Sequence, residues 1–172
     1  MLKILGIGIV VGVCVYLGYL EKDNLQRREN QLQTMIFAVN AMADRISYGR
    51  EPMQVILQKT AESSGGVTAD FLKAVAADLE KGSGSMLSEI WRRQMRNFEN
   101  RLAFKPSDYV VLNDFALGLG ISHTQDQLQK IALSCGRLEQ NLQEAKSEKQ
   151  RLGKVFQASG WCMGIVLALL FA

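Results

Sequence analysis

The sequence predicts an all-α protein: an antiparallel six-helix bundle flanked by an N-terminal and a C-terminal transmembrane helix. Three observations support this prediction. Uncharged apolar runs occupy both ends of the 172-residue chain, apolar residues between them recur at intervals of three and four, and no strand-like alternation of useful length occurs. The predicted division is a transmembrane helix over residues 1–21, a helical-bundle domain over residues 22–154 and a second transmembrane helix over residues 155–172.

The two terminal runs read ILGIGIVVGVCVYLGYL (residues 4–20) and FQASGWCMGIVLALLFA (residues 156–172). Each is about 17 residues long, at the short end of what a helix needs to cross a bilayer. A cleaved signal peptide is the alternative for the first run, but no small-x-small cleavage site precedes Glu21. Lysines and arginines flank both runs on the domain side, so the positive-inside rule predicts a cytoplasmic domain with both termini across the membrane.

Both predicted spans carry glycines four residues apart. These are Gly8 and Gly12 in the first span and Gly160 and Gly164 in the second. Because this spacing lets two helix backbones approach closely in lipid, we predict that the four glycines are transmembrane packing positions. The alternative is that they reflect the general frequency of glycine in membrane helices.

The domain between the spans contains six helical segments. The first covers about 24–48 and has one apolar stripe at intervals of three and four. The stripe consists of Leu25, Leu32, Met35, Val39, Met42 and Ile46. Pro52 and Pro106 open the second and fifth helices, where a missing N–H has no effect on the helix, and Thr68 is the predicted N-cap of the third.

The fourth and sixth helices carry the other long apolar stripes. The fourth has Leu87, Ile90, Trp91, Met95, Phe98 and Leu102. The sixth, capped by Ser122, has Leu128, Ile131, Cys135, Leu138, Leu142, Ala145 and Leu152 at heptad spacing. Heptad stripes joined by short turns favour an antiparallel bundle. No proline separates the first and last helices from the spans, so we predict that both run on into the bilayer and pair with each other.

No residue pattern in the sequence indicates catalysis or cofactor binding. The single histidine, His123, follows the Ser122 cap, and the odd set of three cysteines contains no C-x-x-C motif. Six carboxylates occupy solvent-type positions without forming an acid/base pair: Asp78, Glu80, Glu89, Glu99, Asp108 and Asp114. We therefore predict no enzyme activity, no metal and no cofactor. The excess of 20 basic over 17 acidic residues is small and indicates no nucleic-acid partner.

Three arginines lie within five residues of the fourth helix, at Arg92, Arg93 and Arg96. A solvated helix face is the ordinary explanation of such a charge run. The functional interpretation is a docking edge for an acidic partner, and we retain these residues as candidate partner contacts.

The stretch LNDFALGLGISHTQDQLQKI resembles the LG-x-S-D-x-x-x-Q-x-x-x-I segment of the stage III sporulation protein AB family. The matching residues are Leu119, Gly120, Ser122, Gln127 and Ile131. The two terminal spans, the chain length and the Gln31-Leu32 pair match as well, whereas His123 stands where aspartate is usual.

The resemblance implies a membrane platform or assembly subunit of the secretion-like channel complex that joins mother cell and forespore during endospore formation. It implies a cytoplasmic secretion-type ATPase and other channel subunits as partners, with the domain on the mother-cell side of the outer forespore membrane. Self-association stays open. The alternatives are a platform subunit of a secretion or pilus system unrelated to sporulation and, from a different class, a membrane-tethered enzyme or sensor.

Overall fold

The computed structural model describes the backbone of residues 2–48, 51–82, 84–119 and 124–171, and the side chains of residues 23–48, 51–82, 84–119 and 125–153. All regular secondary structure in this part of the chain is helical, and it contains no strand, which confirms the predicted all-α class. The helices are α1 (Leu2–Tyr48), α2 (Met53–Ser63), α3 (Gly66–Glu80), α4 (Leu87–Asn97), α5 (Pro106–Leu119) and α6 (Thr124–Phe171).

Five of the helices form a ring in the order α1, α6, α5, α4 and α3, and α2 packs against α1 and α3. The most extensive contact is between α1 and α6, which are 47 and 48 residues long. Three contacts show that these two helices are antiparallel: Arg28 with Glu148, Lys149 with Glu29, and Cys135 with Asn40. The predicted pairing of the first and last domain helices is therefore confirmed.

The apolar stripes predicted for α1 and α6 face the core. All six predicted stripe residues of α1 are buried, and α6 contributes Ile131, Cys135, Leu138, Leu142 and Ala145. An aromatic cluster forms the core between α3, α4 and α5. The ring centroid of Trp91 lies 4.7 Å from that of Phe71 and 5.5 Å from that of Phe115. Both pairs are edge-to-face, a favoured geometry for aromatic rings.

Two predicted helix ends are wrong. Thr68 is not the N-cap of α3, because the helix begins two residues earlier behind Gly65, and Thr68 is buried within its first turn. The fourth helix does not reach Leu102. It ends at Asn97, since the chain turns at Phe98 to enter the connection towards α5, although Leu102 itself is buried as its apolar character suggests.

Other predictions fall outside the described residues or side chains. These include the cap at Ser122, the solvent position of His123, and the glycines Gly8, Gly12, Gly160 and Gly164. Among the residues whose side chains are described, no helix is long and apolar enough to cross a bilayer. The two predicted spans lie in α1 and α6, outside the residues whose side chains are described, and both helices continue through those segments without interruption.

Candidate functional site

A buried ion pair joins α1 to α5. Arg28 lies on the core-facing side of α1 with 2% of its surface exposed, and Asp108, in the first turn of α5, is fully buried. The guanidinium donates from Nε to Asp108 Oδ2 at 2.8 Å and from Nη2 to Oδ1 at 3.0 Å. This bidentate geometry gives the strongest hydrogen bonds that arginine makes with a carboxylate. These hydrogen bonds offset the free-energy cost of removing both charges from water.

Further hydrogen bonds connect this pair to α6. Asn141 donates from Nδ2 to Asp108 Oδ1 at 2.7 Å, and the backbone N–H of Lys105 donates to Oδ2 at 2.8 Å. Glu148 accepts from Arg28 Nη1 at 3.4 Å and from Lys105 Nζ at 2.6 and 2.7 Å. We call these five residues the polar junction, because they hold α1, α5 and α6 together at one place.

The local sequence explains why Asp108 takes this position. Pro106 is the first residue of α5, as predicted, so Lys105 precedes the helix and Asp108 is its third residue. A carboxylate at the third position can accept the N–H of the capping residue, and a negative charge there interacts favourably with the helix dipole. The expectation that Asp108 lies at a solvent position is wrong, because the partners that allow its burial come from α1 and α6.

The charges of the polar junction stabilise one another. Burial by itself lowers the pKa of Arg28, but the hydrogen bonds and charge of Asp108, with the charges of Glu148 and Glu144, raise it above its usual value. Arg28 therefore stays charged at all physiological pH values. The two cations of the polar junction, Arg28 and Lys105, balance its two carboxylates. Both oxygens of Asp108 accept hydrogen bonds. These contacts fix the position of α5 relative to α1 and α6.

Neither Arg28 nor Asp108 was predicted from the sequence as part of a buried site. A signal for Arg28 existed, because the residue lies between Leu25 and Leu32 at the spacing of the apolar stripe. A charged residue within a buried stripe requires a partner. No local pattern identifies that partner, since Asp108 is 80 residues away in the chain.

The family-like residues have structural positions. Leu119 and Ile131 are buried, and the side chain of Gln127 donates to the carbonyl oxygen of Leu119 at 3.1 Å, which caps the last turn of α5 from α6. Gln31 on α1 binds the α4–α5 connection, accepting from the N–H of Ala103 at 2.7 Å and donating to the carbonyl of Arg101 at 3.0 Å. Gly120 and Ser122 lie outside the described residues.

The structure divides the three arginines of α4. Arg93 pairs with Asp78 of α3 at 3.0 Å, and Asp78 also accepts from Gln94 at 2.6 Å and Lys81 at 2.9 Å. Hydrogen bonds from Lys81, Gln94 and Arg93 hold the pKa of the Asp78 carboxyl well below its usual range. Arg93 therefore has a role within the domain.

Arg92 and Arg96 face a different neighbour, α5. Both are exposed and have no ion-pair partner among the described side chains. They line a groove of about 200 Å³ between α4 and α5, together with Met95, Glu99, Tyr109 and Asn113. Burial, followed by the charges of Glu99 and Asp108, raises the pKa of Tyr109 above its usual value, so this groove presents two cations, one carboxylate and a neutral phenol. Two of the three candidate docking arginines are thus available to a partner.

Metal-type ligand clusters and the one cysteine with a described side chain were the remaining features to place. Within the described residues, no three histidine, cysteine, aspartate or glutamate side chains lie close enough to hold a metal ion. Cys135 is buried, and its thiol donates to Asn40 Oδ1 at 3.2 Å. Burial and the charge of Glu139 raise its thiol pKa, which disfavours the reactive thiolate.

Comparisons with known proteins identify a family for this chain. A family model described as stage III sporulation protein AB matches residues 3–172, essentially the whole chain. The chain belongs to the stage III sporulation protein AB family. The family resemblance predicted from the segment between Leu119 and Ile131 is therefore confirmed. This family is one of sporulation proteins.

Two individual relatives show how far the likeness extends. Stage III sporulation protein AB of Bacillus subtilis (strain 168) is 26% identical over 170 residues, and the alignment covers 99% of both chains. A solved structure of stage III sporulation protein AB matches with a TM-score of 0.68 at 25% identity, covering 73% of this chain and 98% of that one. The helical domain described above is thus the fold of this family.

Proposed function

We propose that this protein is a membrane platform subunit of the channel complex that connects mother cell and forespore during endospore formation. In this proposal it couples a cytoplasmic secretion-type ATPase to the channel and catalyses no reaction itself. The domain lies on the mother-cell side of the outer forespore membrane, and both termini lie in the space between the two membranes. Family membership supports the sporulation role and disfavours the alternative of a secretion or pilus system unrelated to sporulation.

The polar junction is the observation that carries the platform role. A platform has to pass a displacement from its cytoplasmic face to its membrane segments. Because Asp108 binds Arg28 of α1 and Asn141 of α6, α5 cannot shift relative to the two long helices without exposing a buried charge. Those two helices are also the ones that contain the predicted spans.

Co-purification tests the proposed function. The full-length chain, tagged and extracted from sporulating cells in mild detergent, is expected to retain a secretion-type ATPase from the same cells. Disruption of the gene is expected to block spore formation. Normal sporulation without the protein would contradict the proposal.

The orientation requires a separate topology test by thiol labelling. Single cysteines at positions 1 and 172 report the termini, but Cys135 is a poor reporter of the domain because it is buried and hydrogen-bonded. A cysteine at the exposed position Gln140, in a chain without the native cysteines, replaces it. We expect label added from outside the cytoplasm to reach both termini and not position 140. Labelling of the termini from the cytoplasm would overturn the orientation.

Crosslinking tests whether the two long helices stay paired towards their predicted membrane ends. Cys14 and Cys162 each lie fourteen residues beyond the Arg28–Glu148 contact, which is two heptads along both helices. If the antiparallel register continues that far, a short bifunctional thiol reagent joins Cys14 to Cys162 within one chain. Cys14→Ser is the control, and absence of any intramolecular product would mean that the helices separate.

A further inference from the structure

We propose that the outer surface of α5, with the adjoining edges of α4 and α6, is a docking site for an acidic amphipathic helix of another protein. This deepens the proposed function, on which it rests for its expectation of a protein partner. We call this surface the α5 face. Its apolar part consists of Val110, Leu117 and Leu133, and its basic part of Arg92, Arg96, Lys130 and Arg137.

The apolar part has the spacing that a helix recognises. Val110 and Leu117 are 59% and 53% exposed and lie seven residues apart, which is about 10 Å along one side of α5. Leu133 of α6, 62% exposed, lies beside Leu117 in a groove of about 250 Å³ between α5 and α6. A partner helix presents apolar residues at similar intervals of three, four and seven. Covering these large exposed apolar side chains with a partner removes their surface from water, which is favourable.

Basic residues border the apolar part on both sides. Arg92 and Arg96 line the groove on the α4 side, while Lys130 and Arg137 line the groove on the α6 side. Arg137 pairs with Asp114 at 3.2 Å, but both side chains are at least half exposed, so this pair contributes little to stability and can exchange partners. The four cations outnumber the two carboxylates at the same grooves, Glu99 and Asp114.

This charge excess identifies the partner as acidic, and the position of the face favours a protein over lipid. Leu133 lies 22 residues before the predicted second span begins at residue 155, which corresponds to about 33 Å of helix. The screening length at physiological salt is about 8 Å, so anionic lipid of the protein's own membrane exerts almost no attraction at that distance.

Peptide binding to the full-length chain tests the proposal. The chain is placed in nanodiscs of zwitterionic lipid, and empty nanodiscs give the background. The probe is a fluorescent peptide with leucines at alternating intervals of three and four and glutamates beside them, compared with a scrambled peptide of the same composition. We expect saturable binding of the patterned peptide only, weakened by salt.

Matched variants locate the binding. Arg92→Glu with Arg96→Glu, and separately Leu117→Ala with Leu133→Ala, should each raise the dissociation constant about tenfold, equivalent to about 1.4 kcal/mol. All four side chains sit at grooves on the surface, and circular dichroism verifies that each variant is folded. Phe37→Ala on α1 and Lys73→Glu on α3 change one exposed apolar and one exposed basic residue away from the α5 face and should leave binding unchanged.

Three outcomes would overturn the α5 face: equal binding of the scrambled peptide, equal effects of the control variants, or charge-dependent binding to anionic vesicles without peptide binding. The co-purified ATPase separates this proposal from the proposed function. If the ATPase binds wild type and Arg92→Glu/Arg96→Glu equally, the α5 face is wrong and the platform role stands. If the peptide result holds but no ATPase is retained, the α5 face stands and the ATPase-coupling role loses its support.

Discussion

Removing the carboxylate of Asp108 should destabilise the domain far more than removing a carboxylate elsewhere on the same helix. Asp108→Ala deletes two hydrogen bonds from Arg28, one from Asn141 and one from the Lys105 backbone. It leaves the guanidinium of Arg28 buried, with Glu148 as its remaining anionic partner at 3.4 Å.

The expected loss follows from the burial of the pair. Breaking one side of a buried ion pair costs about 3–5 kcal/mol, and the remaining contact of Arg28 with Glu148 places the expected value near the lower end. Typical domains are stable by only about 5–15 kcal/mol, so the variant loses a large share of its stability. Asp114→Ala is the matched control. Asp114 is also on α5 and also pairs with an arginine, but this pair is exposed, so we expect a loss below about 1 kcal/mol.

Denaturant unfolding of the full-length chain in detergent, followed by far-ultraviolet circular dichroism, measures these differences. A double variant, Arg28→Met with Asp108→Leu, removes both charges together and should recover most of the stability, because apolar residues can replace a buried pair at little cost. A loss below about 1 kcal/mol for Asp108→Ala would refute the reasoning, since it would mean that water solvates Arg28. A double variant no more stable than Asp108→Ala would refute it also.

Three further predictions concern other parts of the domain. Gly136→Ala should stabilise the protein by about 0.5–1 kcal/mol, because an added Cβ there has no atom within 4 Å. Gly118→Ala should give no such stabilisation, because its Cβ would lie 3.1 Å from the Cβ of Lys130. Thermal unfolding compares the two variants. Asp78 contributes stability above the unfolded pKa of about 3.9 that is lost as pH falls towards its lower folded pKa, so the stability difference between wild type and Asp78→Asn should shrink below about pH 4, and a constant difference would contradict this. Gln31→Glu keeps one of its two hydrogen bonds to the α4–α5 connection and should cost about 1 kcal/mol, with faster amide exchange in that connection as the readout.

The sequence was sufficient for the helices because their signals are local. The apolar stripe of α1, the proline that begins α5 and the glycines after Glu80 act within a few residues of where they stand. Gly82 follows the end of α3 with a φ of +62°, a conformation that glycine adopts without strain. The two misplaced ends are small displacements. The N-cap of α3 is Gly65, three residues before Thr68, and α4 ends at Asn97, five residues before Leu102.

Family membership too could be read from the sequence, because the segment from Leu119 to Ile131 carries spaced residues that the structure uses to join α5 to α6. The partner surface could be predicted only in part. Arg92, Arg93 and Arg96 look equivalent along the chain, yet helical geometry points Arg93 towards Asp78 on α3 and the other two towards the groove at α5.

The sequence by itself therefore determined the all-α class, the order of the helices, the apolar ends and the family. Only the tertiary structure decided which charges are buried together, which arginines are available to a partner and in what register α1 meets α6. The reason is physical: helix periodicity and capping are short-range, whereas the contact between Arg28 and Asp108 joins residues 80 positions apart. Tertiary packing decides whether a charged side chain is buried in an ion pair or exposed to a partner.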